Sequence, residues 1–372
     1  MASSTVAEEK SLLVIILDIT PSLWGHRELK RAANDKQRAE KDKQRGVTSK
    51  TRSAGPTTLT EVRNSVLGFA GAYASLNREN CLVIICVSGD NCAIVYPRMA
   101  ALEDMIREPA ELGPKIDNRL LHDDLTLGIA DLTRRTTSEM QLDLREERST
   151  NIHTDGCAVA AGLSLALCCI NRFAGAFGGG ALGSSEKRRE DDGVLAMMEG
   201  KEARQAAEER EMYRRQSGQL TPRVLILQAS EDRTRDYNAI MNCTFAAIKG
   251  NIVIDGCFIP YDQAKNSIFL EQACDRTGGV YLAPAGAAQV GGALLEVMLS
   301  IFLAPIASRK HLNLPALAKV DFRAKCFVTG ESVDIANVCN QCLSIFKERP
   351  RETCPTCGAA VKVFRRKIIE SE

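Results

Sequence analysis

Aromatic residues make up only 5% of the 372 positions, and Trp24 is the single tryptophan. A core built from this chain must be filled mainly by Leu, Ile, Val and Ala, which the 45% hydrophobic content supplies. Histidine is scarcer still, with four residues at His26, His122, His153 and His311. None stands in a nucleophile pattern, and neither a Walker A sequence nor H-E-x-x-H occurs, so the sequence assembles no catalytic constellation. An excess of one charge is also missing. The formal net charge is +1, which excludes a general nucleic-acid clamp and confines any electrostatic role to a local patch. Long apolar runs are absent, since no stretch approaches the roughly 20 residues of a membrane span. The opening residues are polar and acidic rather than those of a signal peptide. A soluble intracellular protein without membrane contact is the expectation.

Cysteine, by contrast, is plentiful. Nine of the 14 cysteines are scattered through residues 81–274, mostly in apolar settings, and read as reduced, buried small hydrophobes. The other five lie between Cys326 and Cys357. Four of these form two Cys-x-x-Cys pairs, Cys339/Cys342 and Cys354/Cys357, separated by 11 residues. Each pair sets two thiolates on one tight turn, and two such turns close a tetrahedral zinc site with no position left open for catalysis. Gly358 follows the second pair and permits the left-handed backbone such a turn requires. The spacing predicts one structural zinc per chain. Cys326 stays outside this set and reads as a free buried thiol.

Along the chain, LLVIIL at 12–17 ends in Asp18, the pattern of a central strand buried on both faces. From His26 to Gly55 there are ten Lys/Arg against four Asp/Glu. This stretch reads as a solvated helix or an insertion, with a basic contact to nucleic acid as the second reading. Thr57 or Thr58 caps a helix running to about Leu76. Strands are predicted at 81–88 and 92–96, joined by Gly89-Asp90-Asn91, and residues 101–147 read as largely helical. A helix over 156–173 precedes GAFGGGALGSS, in which Gly178, Gly180 and Gly183 match G-x-G-x-x-G by count. The match follows a helix rather than a strand, so it reads as a linker. The core resumes with strands at 223–229, 251–259 and 280–283 and helices at 236–249, 266–277 and 289–303. Apolar strands alternating with amphipathic helices predict an α/β fold with a doubly wound, mostly parallel sheet. The expected division is 10–304 for this domain, with charged insertions at about 26–56 and 184–218. A linker at 305–319 and a C-terminal zinc-binding domain at 320–364 complete it.

In such sheets the functional crevice lies beyond the carboxyl ends of the strands. Asp18, Thr20 and Ser22 follow the first strand there, offering three hard oxygens that suit magnesium. Thr154 and Asp232 occupy loops expected on the same edge. The set is similar to the metal-ion-dependent adhesion site of von Willebrand A domains. The alternative is that Thr20 and Ser22 cap the next turn while backbone amides satisfy Asp18.

The chain as a whole resembles a von Willebrand A domain followed by a C-terminal four-cysteine zinc ribbon. The resemblance is to the family of smaller A-domain subunits of general transcription factor IIH. It is carried by LLVIILDITPSLWG (12–25), RVLILQASED (223–232), LEQACDRTGGVYL (270–282) and VCNQCLSIF (338–346). It implies a non-catalytic nuclear scaffold that docks on the other zinc-bearing A-domain subunit of the factor's core, and through it on the helicase subunits. The work of that complex is RNA polymerase II transcription initiation and nucleotide excision repair. Relatives tend to carry a second cysteine and a histidine soon after the position of Cys326, where this chain has Phe-Val-Thr, which argues against a second zinc. Two other readings stand beside this one: a metal-dependent ligand-binding A domain using Asp18, Thr20 and Ser22, and a zinc-dependent ubiquitin-ligase component.

Overall fold

The protein is described by a computed structural model over residues 10–45, 56–98, 116–145, 157–176, 202, 204–205, 221–259, 266–284, 293–309, 311–314, 323–329 and 331–360. Thr154, the glycines at 178–183 and most of 184–218 lie outside these residues.

The apolar run at the start of the chain forms β1 (Ser11–Asp18), and all seven residues from Leu12 to Asp18 are buried. Burial on both faces requires strands on both sides and helices above and below. The structure supplies them. β2 (Cys81–Ser88) and β4 (Thr221–Gln228) flank β1 in parallel, followed on the far side by β5 (Val253–Phe258) and β6 (Tyr281–Leu282). β3 (Asn91–Tyr96) closes the other edge antiparallel to β2, giving the order β3-β2-β1-β4-β5-β6. The β2–β3 turn is tight because Gly89 takes φ +56°, a left-handed value that glycine adopts without a Cβ penalty. Strand order reverses about β1, so the switch point of the sheet lies between β1 and β4. Ligand crevices of open α/β sheets form at that place.

Alternate residues of β1 divide the core. Leu13, Ile15 and Leu17 pack with α2 (Leu59–Leu76), α3 (Asn118–Arg145) and the later helix α7 (Leu294–Val297). Leu12, Val14 and Ile16 pack against α4 (Val159–Ala176), α5 (Tyr237–Gly250) and α6 (Ile268–Thr277). The expected doubly wound, mostly parallel α/β sheet is therefore present. Thr58, one of the two threonines expected to cap α2, does so, and Glu61 completes a reciprocal capping box by accepting from the Thr58 backbone N–H. α7 continues as a single wide turn of π-helix, Met298–Phe302, that buries Met298 and Phe302.

Three stretches depart in part from their sequence reading. The charged segment after β1 is helical, as one of its two readings had it, in α1 (Pro21–Arg45), but the root of this 25-residue helix is anchored in the core by Trp24, which is 2% exposed, and by the fully buried Arg27. The segment beyond Pro305, read as linker, contains the helical turn α8 (Ile306–Arg309). Its Arg309 forms a two-armed ion pair with Asp255 of β5, with N···O distances of 2.7 and 2.6 Å, and both residues are buried. The helix expected over 156–173 runs from Val159 to Ala176, because Cys157 and Ala158 are held by other contacts at its entry. Among the described residues no helix is long and apolar enough to cross a membrane.

Beyond α8 the C-terminal residues form short antiparallel pairs, β7 (Ala324–Lys325) with β8 (Ser332–Val333) and β9 (Asn337–Val338) with β10 (Ile345–Phe346). A body this small has little apolar core, with Val333 and Phe346 among its few buried hydrophobic side chains. Domains of this size are held by staples such as disulfides or metals.

Candidate functional site

Four cysteines are placed where such a staple could be held. Cys339, Cys342, Cys354 and Cys357 bring their sulfurs within 4.8 Å of one another. Two turns of the same construction achieve this. In the first, the N–H of Leu343 donates to the Cys339 carbonyl at 2.9 Å and the N–H of Cys339 to the Ser344 carbonyl at 2.9 Å. In the second, Gly358 donates to Cys354 and Cys354 to Ala359, both at 2.8 Å. The residue after each pair is left-handed, with φ +59° at Leu343 and +72° at Gly358. Gly358 adopts this freely. Leu343 does so against the steric preference of its Cβ.

The spacing of the sulfurs fits a tetrahedral ion. Four thiolates each about 2.3 Å from a common centre lie about 3.8 Å apart. The Cys342–Cys354 and Cys339–Cys357 sulfurs are 3.6 and 3.9 Å apart. Hydrogen bonding from Ser344, whose Oγ is 3.1 Å from the Cys342 sulfur, lowers the Cys342 thiol to about 6. At Cys357 the Ala359 amide favours the thiolate, but the facing sulfurs of Cys342, Cys354 and Cys339 outweigh it and push the thiol up to about 12. Four thiols this close resist ionising together unless a cation is added. The donor set thus fits a soft divalent metal ion bound with release of protons.

Cys326 lies apart from this cluster and is 2% exposed. Burial opposes its ionisation, but hydrogen bonds from the Thr329 side chain and from the amides of Lys347, Thr329 and Val328 bring the thiol down to about 7. The Lys347 N–H lies 3.3 Å from its sulfur.

At the switch point of the sheet, Asp18 is 2% exposed and both its oxygens accept hydrogen bonds. Oδ1 takes the Thr20 amide at 3.0 Å and the Thr20 hydroxyl at 2.7 Å. Oδ2 takes the amides of Ala229 and Ser230, just past β4, at 3.0 and 2.7 Å. The carboxylate thereby ties the ends of β1 and β4 together. Ser22 is exposed in the first turn of α1. Asp232 is turned to α6, where it accepts from the Ser267 hydroxyl at 2.5 Å and the Phe269 amide at 3.0 Å. Of the predicted oxygen donors, then, Asp18 and Thr20 meet, while Ser22 and Asp232 are engaged elsewhere or exposed. A cation at Asp18 would have to displace hydrogen bonds already made.

Other residues shape this edge without having been picked out in sequence. Arg27 donates to the Ile259 carbonyl at 2.7 Å and stacks on Trp24, whose Nε1 donates to the Asp18 carbonyl at 2.9 Å. Arg233 pairs with Asp90 at 2.5 Å, and Ser230 lies 3.2 Å from the Cys157 sulfur. The three-residue spacing of Arg27 from Trp24 puts both on the same side of a helix, but that spacing alone does not mark Arg27 as buried.

A mostly parallel α/β domain followed by a four-cysteine module that could hold a metal ion defines a class of two-part chains, a wound sheet with a small cysteine-rich appendage. A family model described as "Transcription factor Tfb4" matches residues 10–358, spanning both the sheet and the cysteine module, and the chain belongs to that family. Among curated relatives, an Arabidopsis thaliana protein named "General transcription and DNA repair factor IIH subunit TFB4" is 28% identical, covering 96% of this chain and 91% of the relative. A Dictyostelium discoideum protein named "General transcription factor IIH subunit 3" is 28% identical over 82% of this chain and 68% of the relative. A Schizosaccharomyces pombe subunit of the same factor is 45% identical over 37% of this chain and 43% of its own length. A solved structure titled "Crystal Structure of the TFIIH p34 N-terminal Domain" aligns with a TM-score of 0.46 at 19% identity, covering 79% of this chain and 99% of that one.

Proposed function

We propose that this chain is a non-catalytic, nuclear subunit of general transcription and DNA repair factor IIH, acting in transcription initiation and nucleotide excision repair. It pairs with the other zinc-bearing A-domain subunit of the core and reaches the helicase subunits through that partner. The observation that carries the reading is the family match from residue 10 to 358, which takes in sheet and cysteine module as one unit. Zinc is the ion proposed for Cys339, Cys342, Cys354 and Cys357, one per chain, since four thiolates select zinc among the abundant divalent ions. Its role is structural, because four protein ligands leave no open coordination position.

Of the adhesion-type residues, Asp18, Thr20 and Asp232 are given a structural role over magnesium binding; Ser22 is exposed, and Thr154 lies outside the described residues. The four hydrogen bonds at Asp18 support this, as does the commitment of Asp232 to the start of α6. Docking then needs no cation at the strand ends. Co-expression of the full chain with the second A-domain subunit tests the proposal. A one-to-one complex by light scattering that survives magnesium chelation is expected. Two separate monomers would overturn the pairing, and a complex that dissolves on magnesium removal would favour the metal-dependent reading.

A further inference from the structure

The two cysteine turns are built alike except at one residue. In each, the N–H of the first cysteine donates to the carbonyl five residues on, Cys339 to Ser344 at 2.9 Å and Cys354 to Ala359 at 2.8 Å. The residues flanking these bonds pair in the same register, Val338 with Ile345 and Thr353 with Ala360. The amide of the fifth residue meets the sulfur of the second cysteine in both turns, Ser344 with Cys342 and Ala359 with Cys357. Ser344 and Ala359 therefore hold equivalent positions, and their side chains differ by a hydroxyl.

That hydroxyl is directed at the centre. Ser344 is 1% exposed, and its Oγ lies 3.1 Å from the Cys342 sulfur, its one hydrogen-bond partner among the described residues. A neutral thiol can supply the proton of this contact. A thiolate has none, so once Cys342 binds a metal ion the hydroxyl has to donate. Such a donor matters because four thiolates around a divalent ion leave an excess of negative charge on sulfur. Outer hydrogen bonds disperse that charge and fix the direction of each ligand. Both turns supply a backbone amide for this purpose, and only the first adds a side chain.

We propose that Ser344 is a positioning residue of the cysteine centre, whose hydroxyl donates to the Cys342 thiolate, fixes the direction of that sulfur and strengthens retention of a soft divalent ion. Cys342 is thereby better held than its counterpart Cys357, which is exposed and has an alanine at the matching position. The proposal rests on the reading of Cys339, Cys342, Cys354 and Cys357 as a metal centre, and not on the partners of the chain.

The full chain loaded with cobalt(II) in place of zinc tests it. Cobalt bound by thiolates absorbs through sulfur-to-metal charge transfer, and a hydrogen bond to the sulfur moves that band to shorter wavelength. Ser344→Ala should shift the band to longer wavelength and lower zinc affinity, read against a chromophoric chelator, by about tenfold. Ser344→Thr keeps the hydroxyl and should keep the wild-type band. Ala359→Ser gives the second turn its missing hydroxyl and should shift the band to shorter wavelength. A Ser344→Ala chain with the wild-type band overturns the proposal, even if its affinity falls, since that loss would come from packing alone. If Ser344→Ala does not fold, Ala359→Ser decides, and a band unmoved or shifted to longer wavelength overturns the proposal. A wild-type chain that takes up neither cobalt(II) nor zinc overturns the metal centre and this role together, whereas uptake without difference between the variants overturns the role alone.

Discussion

Replacing Asp18 with Ala separates a structural carboxylate from a metal ligand by the sign and size of what is lost. In the wild-type chain its two oxygens accept from the Thr20 amide and hydroxyl and from the Ala229 and Ser230 amides. Thr20 can turn its hydroxyl elsewhere, but the buried amides of Thr20, Ala229 and Ser230 each lose their acceptor. A buried donor left unsatisfied costs about 1–3 kcal/mol, so three orphaned amides put the loss at about 3–9 kcal/mol. Asp18→Asn keeps the volume but points an NH2 group at donors, and should lose about half as much. Thr20→Val deletes one hydroxyl bond and should lose about 1 kcal/mol. Urea unfolding followed by circular dichroism reads all three. With a slope of about 3 kcal/mol per molar, the alanine variant should unfold about 1–3 M earlier, with or without magnesium. An unchanged midpoint for Asp18→Ala, or a wild-type midpoint that rises with added magnesium, would refute the hydrogen-bonded account.

Other perturbations probe the rest of the structure. Arg309→Met leaves Asp255 buried without its two-armed partner and should destabilise the sheet domain by about 3–5 kcal/mol in urea titration. In the wild-type chain burial raises the Asp255 carboxyl, but Arg309 and its companions outweigh that and hold it below the ordinary range. A depressed carboxyl contributes stability that is full above its unfolded value of about 4 and is lost as pH falls through the folded value. The variant should therefore lose less on acidification below about pH 4 than the wild type does, and parallel acid titrations of the two would contradict this. Gly279→Ala would place a Cβ 1.9 Å from the Ile254 carbonyl oxygen, a backbone atom that cannot yield, and should cost more than about 3 kcal/mol. A melting temperature within a degree or two of wild type would be inconsistent with that contact. Leu343→Gly should act in the opposite direction. It relieves a left-handed leucine that is 60% exposed and should strengthen retention of the proposed metal ion against a chelator, by about 1 kcal/mol. Faster metal loss would mean the side chain supports the turn.

Much of this architecture can be read from local pattern. The unbroken apolar runs of β1 and β2 announce strands buried on both faces, Thr58 announces the start of α2, and two Cys-x-x-Cys pairs announce a tetrahedral set of sulfurs. What escapes the sequence depends on partners far along the chain. Asp255, in the middle of an apolar strand, signals a buried charge, but its partner Arg309 lies 54 residues later in a stretch that reads as linker. Asp18 and Thr20 have the spacing of an adhesion-type cation site, yet spacing cannot show that the Ala229 and Ser230 amides occupy the carboxylate, since those lie just past β4, over 200 residues away. Arg27 reads as one more charge in a polar stretch. Only the tertiary placement of the Ile259 carbonyl and the Trp24 ring makes it a buried anchor. Local periodicity fixes elements, and long-range polar pairing decides what each charged residue is for.

As a docking subunit of general transcription and DNA repair factor IIH, the proposed role of sheet domain and cysteine module together, the chain should travel with the rest of that factor. Affinity purification of the tagged full chain from its own cells, with identification of what accompanies it, tests that most directly. Recovery of the second A-domain subunit and the helicase subunits, lost when Cys339 and Cys354 are both replaced by Ser, is the predicted result. Recovery of the chain alone, or of an unrelated set of partners, would contradict the account.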